Sequence, residues 1–480
     1  MPHEVTPDDP APGDPAPGDP ALASAEALTR AYRRGRLSPV EATEAALGRI
    51  ERHDDKVKAF LFVDREGALT SARASEARWR TGTPLGPLDG IPATIKDVVL
   101  AKGWTTRFGS RTTPERPSEI DAPCTARLRE SGAVLLGLTS SPEFGWKAVT
   151  DSPLCGVTRN PWDLSRTPGG SSGGAAAAAV LGMGTLHIGS DGGGSIRIPS
   201  GFTGLVGHKP SFGRVPAYPL SPFGTVSHVG PMARSVTDAA LMLKVISGPD
   251  ARDGYALPPW RRDPRSGLDD GIVGLRIAFS PDLGYARVDP EIARAVAAAV
   301  ETLADLGAEV EQVEPPFDPP IEIFKTHWYA GAARRFEQID PARRDQVDPG
   351  FREIAEAGAQ IPLLDYLEAV ARREQLSSTM RQFHERHDLL VTPTLPIPAF
   401  PAGRELADPD RETRWIDWAS FSYPFNLTQQ PACTVPCGLT EAGLPIGLQF
   451  VGSRYDDALV LQAARAYEST RPTKLPTLPD

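Results

Sequence analysis

The spacing of apolar residues changes several times along the chain, and each change marks an element. After Ser38-Pro39-Val40-Glu41, a capping box with proline at the first helical position, apolar residues recur at helical spacing to about Arg52. Residues 89–99, D-G-I-P-A-T-I-K-D-V-V, read as a turn followed by a β-branched strand. Val134–Leu138 and Gly184–Gly189 read as further strands, and Ala175–Leu181 is strongly helix-forming. Asp289-Pro290-Glu291 opens a helix running to about Leu306. Arg276–Phe279 before it and Glu309–Val313 after it read as strands, which is β-α-β logic. Strands and helices alternate throughout, which predicts an α/β protein with a mixed sheet. The proline-rich stretches 257–270 and 314–320 read as surface loops within that body.

Composition changes the picture mainly at the N-terminus. Residues 9–18 are D-P-A-P-G twice over, and seven prolines fall in the first twenty residues. Such a segment has little to bury, so residues 1–20 read as a disordered tail and residues 21–480 as one domain. The formal charge is −10, and Glu4, Asp8, Asp9, Asp14 and Asp19 account for half of it. The remainder is mildly acidic and carries no basic stripe, which argues against nucleic acid as a partner. The four cysteines, Cys124, Cys155, Cys433 and Cys437, form no C-x-x-C and read as reduced thiols of a cytoplasmic protein rather than a metal site or a disulfide framework. The N-terminus lacks the charged and apolar regions of a signal peptide. The uncharged window 169–190 is long enough to span a membrane but too rich in Gly and Ser to do so.

Two glycine-rich runs carry the candidate chemistry. The first, P-G-G-S-S-G-G at 168–174, leads into a helix former, unlike a linker. It lacks the lysine of a phosphate-binding loop. It does contain G-x-S-x-G, which would make Ser172 the nucleophile of an α/β-hydrolase elbow, although the residues before it are not strand-like. The second run is S-D-G-G-G-S-I-R-I-P at 190–199. Three consecutive glycines allow close backbone approach and can aim successive N–H groups at one point, as an oxyanion hole requires, or they can simply make a tight turn. Ser195 at the end of this run is placed to attack a carbonyl held there.

A serine hydroxyl needs a base. His187 sits in an apolar strand and reads as a packed core histidine, and His208 lies in no recognisable base context. Lys96 lies in the otherwise apolar strand I-P-A-T-I-K-D-V-V, where a lysine is either solvated at the strand end or buried for a purpose. To act as a base its pKa must fall from about 10.4 towards 7–8, roughly 4 kcal/mol against the ammonium form.

Taken together, these stretches resemble the amidase signature family of serine amidohydrolases. Lys96 matches the lysine of that family's Ser–cis-Ser–Lys triad, Ser171 the cis-serine and Ser195 the nucleophile, with Ser195 standing 24 residues after Ser171 and 99 after Lys96. Further matching stretches are S-P-E-F at 141–144, G-V-T-R-N-P-W-D-L-S-R-T at 156–167, D-L-L-V-T-P-T at 388–394, N-L-T-Q-Q-P-A at 426–432 and G-L-P-I-G-L-Q at 443–449. The resemblance spans about Ala21 to Glu468. It implies the amidase signature fold, a large twisted mixed β-sheet covered by helices on both faces, with a catalytic core at about 60–215 and a variable pocket region at about 320–430. It implies hydrolysis of a carboxylic amide through an acyl-enzyme on Ser195. The N–H groups of Gly192, Gly193, Gly194 and Ser195 would form the oxyanion hole, and Ser172, Asp191 and Arg197 a supporting network. No metal or cofactor is implied. Gly192 stands where the family often has a larger residue, which would loosen that loop, and Gln429 where a glycine is common.

The substrate is less legible. The 322–430 region is aromatic-rich, and Trp328, Tyr329 and Phe425 are the candidate pocket residues for an apolar or aromatic group. The resemblance also admits the glutaminase component of a tRNA-dependent amidotransferase, its A subunit, but the N-L-S-R-F-D-G stretch usual there is replaced here by T-H-W-Y-A-G-A-A-R-R-F-E at 326–337. A non-catalytic binding protein on the same scaffold need not keep Lys96, Ser171 and Ser195 together. The expected partner is a small-molecule amide, with no membrane. Oligomeric state leaves no trace in the sequence, and base rates alone point to a homodimer.

Overall fold

The computed structural model describes residues 18–472 and 474–478. The helix predicted after Ser38 spans Pro39–Val57, with both halves of the capping box in place. It runs five residues past Arg52 because Lys58 closes it in the left-handed region and the Asp54 carboxylate takes the N–H groups of Ala59 and Phe60 at 2.7 and 3.1 Å. The proline-rich residues 1–17 lie outside the described residues. Of the residues assigned to the tail, Asp19 caps the short 3-10 helix Pro20–Leu22 and accepts from Arg49 Nε at 3.0 Å.

One eleven-stranded sheet runs through the molecule in the order Phe60–Val63, Val134–Thr139, Pro92–Lys96, Leu186–Asp191, His228–Ala233, Val206–Lys209, Ala432–Leu439, Pro445–Gly452, Leu389–Pro393, Arg276–Phe279, Glu309–Gln312. Its pairings are mixed. Pro92–Lys96 is parallel to both neighbours, and Leu186–Asp191 pairs antiparallel with His228–Ala233. The predicted β-α-β unit is present: Pro290–Asp305 connects Arg276–Phe279 to the parallel strand Glu309–Gln312. The strand expected at Gly184–Gly189 lies two residues later, because Gly184 sits at φ +123° and ends the turn before it.

The two-residue alternation of strands loads both faces of the sheet. Leu135 faces the core on one side of the sheet, which the helices Val236–Ile246, Pro290–Asp305 and Asp457–Glu468 help to cover. Val134 and Leu136 pack with Pro39–Val57 and Gly173–Val180 on the other. A separate cluster of Trp146, Phe324, Trp328, Phe351 and Trp415 builds the wall over the site. Among the described residues no helix is long and apolar enough to cross a membrane.

Candidate active site

Lys96 is the last residue of its strand and is fully buried. Its Nζ lies 2.6 Å from Ser171 Oγ, 2.9 Å from Ser172 Oγ and 2.9 Å from Ser190 Oγ. Burial pushes its pKa down to about 7, against an upward pull from Asp191. The fully solvated strand-end reading therefore fails, and the amine is poised between its two forms near neutral pH. Ser172 Oγ donates its one proton to Ser190 O at 3.2 Å and accepts from Ser190 N. It has no proton left for Lys96, so the lone pair of a neutral Lys96 must face Ser171 or Ser190. Ser171 is the nearer.

Packing explains the glycines of the first run. A Cβ on Gly170 would meet the Val149 backbone at 2.5 Å, and one on Gly174 would meet Ser140 N at 2.5 Å and Ala59 O at 2.6 Å. Thr150 pins the loop: its Oγ1 donates to Gly169 O at 2.9 Å and accepts from Gly173 N at 3.0 Å. The Gly170–Ser171 peptide is cis. Ser172 N donates to Ser195 O at 3.2 Å, a direct tie between the two glycine runs. Ser171, Ser190, Gly192 and Ser195 line one cavity of about 280 Å³. Ser172 is buried and lines no part of it, so the elbow reading of Ser172 has no access to a substrate.

Behind the second run, Asp191 and Arg197 form a fully buried bidentate pair at 2.9 and 2.9 Å. All five guanidinium N–H groups of Arg197 are used: two on Asp191, and one each on Ser422 O, Gln449 Oε1 and Asn426 Oδ1. Burial opposes ionisation of Asp191, but the Arg197 charge and the donated hydrogen bonds hold its carboxyl well below the usual carboxylate range. Asp191 Oδ1 also takes Gly194 N–H at 2.8 Å, and Oδ2 takes Ile196 N–H at 3.2 Å. Gly194 is therefore a correction to the expected oxyanion set, because its N–H is committed to Asp191. Among the described residues none offers an acceptor to the N–H of Gly192, Gly193 or Ser195.

The pocket aromatics separate. Trp328 lines the cavity, stacks on Phe223 (centroids 3.7 Å apart, planes 7° apart) and donates Nε1 to Trp146 O at 3.0 Å. Its ring takes up the room a side chain at 192 would need, with a Cβ there 2.8 Å from Trp328 Cζ3, so the glycine is matched by a neighbour rather than left loose. Tyr329 comes next on the same helix, about 100° round its axis, and lines no part of the cavity. Phe425 is fully buried in a core cluster with Phe421, Leu390 and Val451. Neither is a pocket residue. His187 is buried against Thr94 at 2.8 Å, and burial pushes its pKa down to about 3. His208 faces Asp457 at 3.2 Å, away from the cavity.

Sequence reasoning missed Ser190, the third hydroxyl on Lys96, although it opens the second run. Asn426 and Gln449 were visible only as the ends of matching stretches, and their role is to complete the shell of Arg197. Ser190→Ala should lower kcat/KM about five- to tenfold, the worth of one net hydrogen bond at the base, without unfolding the protein. Steady-state kinetics beside a thermal melt check both halves.

The family model described as Amidase matches residues 41–461. The chain belongs to the amidase signature family. It is 36% identical to an acylamidase of Rhodococcus erythropolis over 94% of this chain and 95% of that protein. It is 37% identical to the A subunit of the glutamyl-tRNA(Gln) amidotransferase of Chloroflexus aggregans over 90% of this chain and 93% of that one. In structure it is similar to a bacterial aryl acylamidase of the amidase signature family, with a TM-score of 0.87 and 30% identity, covering 94% of this chain and 96% of that one. The amidase signature fold and amide C–N hydrolysis follow from that membership, and the eleven-stranded mixed sheet with helices on both faces is its form here.

Proposed function

We propose that this amidase is a stand-alone hydrolase working through an acyl-enzyme on Ser195, with Ser171 as proton shuttle and Lys96 as base. The observation that carries the reading is a buried lysine, its pKa brought to about 7, with a serine hydroxyl at 2.6 Å on the wall of the cavity that also holds Ser195. Neutral Lys96 takes the Ser171 proton as Ser171 takes that of Ser195. Ser195 Oγ bonds to the amide carbon, and the negative oxygen is received by the N–H groups of Gly192, Gly193 and Ser195. The C–N bond breaks as Ser171 returns a proton to the departing nitrogen. Water then gives up a proton along the same relay, its oxygen bonds to the acyl carbon, and the Ser195 ester bond breaks to release the carboxylate.

A fluorophosphonate probe tests the assignment. It should label Ser195, identified by peptide mapping, and not Ser172. The labelling rate should rise about tenfold per pH unit below 7 and level off above it, because only the neutral fraction of Lys96 can accept the proton. Labelling at Ser172, or a flat pH profile, would overturn the roles assigned here. The amidotransferase reading is favoured by the 37% identity to the Chloroflexus protein. It predicts a chain nearly inert on simple amides until the other components of the complex are added.

A further inference from the structure

The helix Ile321–Glu337 carries Phe324, Trp328, Gly331 and Arg335 at spacings of four, three and four, which is one face of a helix. At one end of that face Trp328 abuts Gly192 beside the nucleophile loop. In the middle, Gly331 lets the facing segment come close, with a Cβ there only 2.8 Å from Pro222 O. Phe223 thereby stacks on Trp328, and the two rings form an apolar wall of the cavity. Seven residues beyond Trp328, about 10 Å along the axis at 1.5 Å per residue, stands Arg335. Arg334, Arg335 and Gln338 line the same cavity as Ser171 and Ser195.

The charge of this cavity is one-sided. Among the described residues lining it there is no Asp or Glu, and Arg334 and Arg335 are its only charged side chains. Arg335 lies over the Phe144 ring at 4.4 Å with Gln338 Oε1 at 3.5 Å. Arg334 is exposed and has no hydrogen-bond or ion-pair partner among the described residues, whereas nearby Arg344 is paired with Glu337. Glu143 acts on Arg335 through its charge without a hydrogen bond to it, its two oxygens being taken by Ser110 Oγ and Asp348 N. A helix C-terminus favours cations by itself, but it does not require them to line a cavity.

We propose that the amide hydrolysed here bears a carboxylate remote from its scissile carbonyl, received by Arg334 with Arg335 and Gln338 in the cavity they share with Ser195. The inference rests on Ser195 being the nucleophile. It names an acidic amide with an apolar middle as the substrate class.

Two fluorophosphonates test it, one ending in a carboxylate and one in a methyl group, each made with a series of methylene tails of increasing length. In both, the Ser195 Oγ–P bond forms, the P–F bond breaks, fluoride leaves and the serine proton passes through Ser171 to Lys96. The carboxylate probe should label Ser195 about tenfold faster at low ionic strength. That preference should fall below about twofold in Arg334→Gln, and likewise in about 1 M salt, where the screening length is about 3 Å. Equal rates for the two probes in the wild type would overturn this proposal alone and leave the nucleophile assignment standing. A preference unchanged in both Arg334→Gln and Arg335→Gln would overturn it too. Labelling of Ser195 by neither probe would overturn the nucleophile assignment and this proposal together.

Discussion

Replacing Lys96 by alanine should lower kcat/KM for amide hydrolysis by about 10³- to 10⁴-fold, the upper part of the range of a positioned general base. The acid limb near pH 7 disappears with it. The reason is proton accounting. Ser172 gives its proton to Ser190 O, so the nitrogen at position 96 is the acceptor the structure places within 2.6 Å of Ser171. Without it, Ser195 must lose its proton to water, and the departing nitrogen finds no proton waiting on Ser171. Lys96→Arg does no better, because a guanidinium stays protonated at any working pH. Alanine also takes Nζ away from Ser171 and Ser190, at about 1–3 kcal/mol for each hydroxyl left unsatisfied, while Ser172 keeps its bonds to Ser190, so a melt should accompany the kinetics. A residual acid limb near pH 7 in Lys96→Ala would assign that limb to another group. The buried carboxyls of Asp97 and Glu143, each pushed up by burial to about 7, are then the ones to test.

The parts of this site that could be read from the sequence are those in which local chemistry and local spacing agree. Lys96 conflicts with its apolar strand, and such a conflict marks either a strand end or a functional site. The glycine runs announce close backbone approach, and the structure supplies the approaching atoms in Val149, Ser140 and Ala59. The capping box at Ser38 and the β-α-β unit around Pro290–Asp305 depend on neighbours within a few turns, and both are where the pattern puts them. What failed depends on distant partners. Nothing near Phe425 or Tyr329 tells core from pocket, since the difference lies in which of two helical faces meets Phe223 and which meets another core. Gly194 is indistinguishable in sequence from Gly192 and Gly193, yet Asp191, three residues back, claims its N–H. Thr150 leaves no signal at all. It acts on the Gly169–Gly173 loop only because the fold brings the 143–151 segment against it.

Arg197→Met should destabilise the protein by about 3–5 kcal/mol at pH 7–8, the cost of stranding a buried charge, and denaturant midpoints at constant slope measure it. The pair is wholly buried, and the acceptors on Asp191, Ser422, Gln449 and Asn426 lose all five guanidinium donors at once. The pH dependence has a definite sign. In the wild type the carboxyl of Asp191 is held low by Arg197, so its contribution is complete above the ordinary carboxylate pKa of about 4 and is lost only as pH falls below it. In the variant the same carboxyl is buried without its cation, its pKa rises, and protonation relieves the penalty. The gap between the two proteins should therefore narrow as pH falls from 7 towards 5. A gap that is constant over that window would mean that Asp191 stays ionised without the guanidinium, on the N–H groups of Gly194, Ile196, residue 197 and Asn426 together with the influence of Lys209. Asp191→Leu/Arg197→Met separates the energetic role from the geometric one. Replacing both charges by apolar groups should recover the part of the loss that comes from the unpaired carboxylate, while the partners on Ser422, Gln449 and Asn426 stay unpaired. Activity should not return with it, because Gly194 N–H then has nothing to hold it at 2.8 Å, and the loop that aims Gly192, Gly193 and Ser195 into the cavity loses its anchor. Recovery of both stability and activity in the double variant would show that packing alone positions the loop.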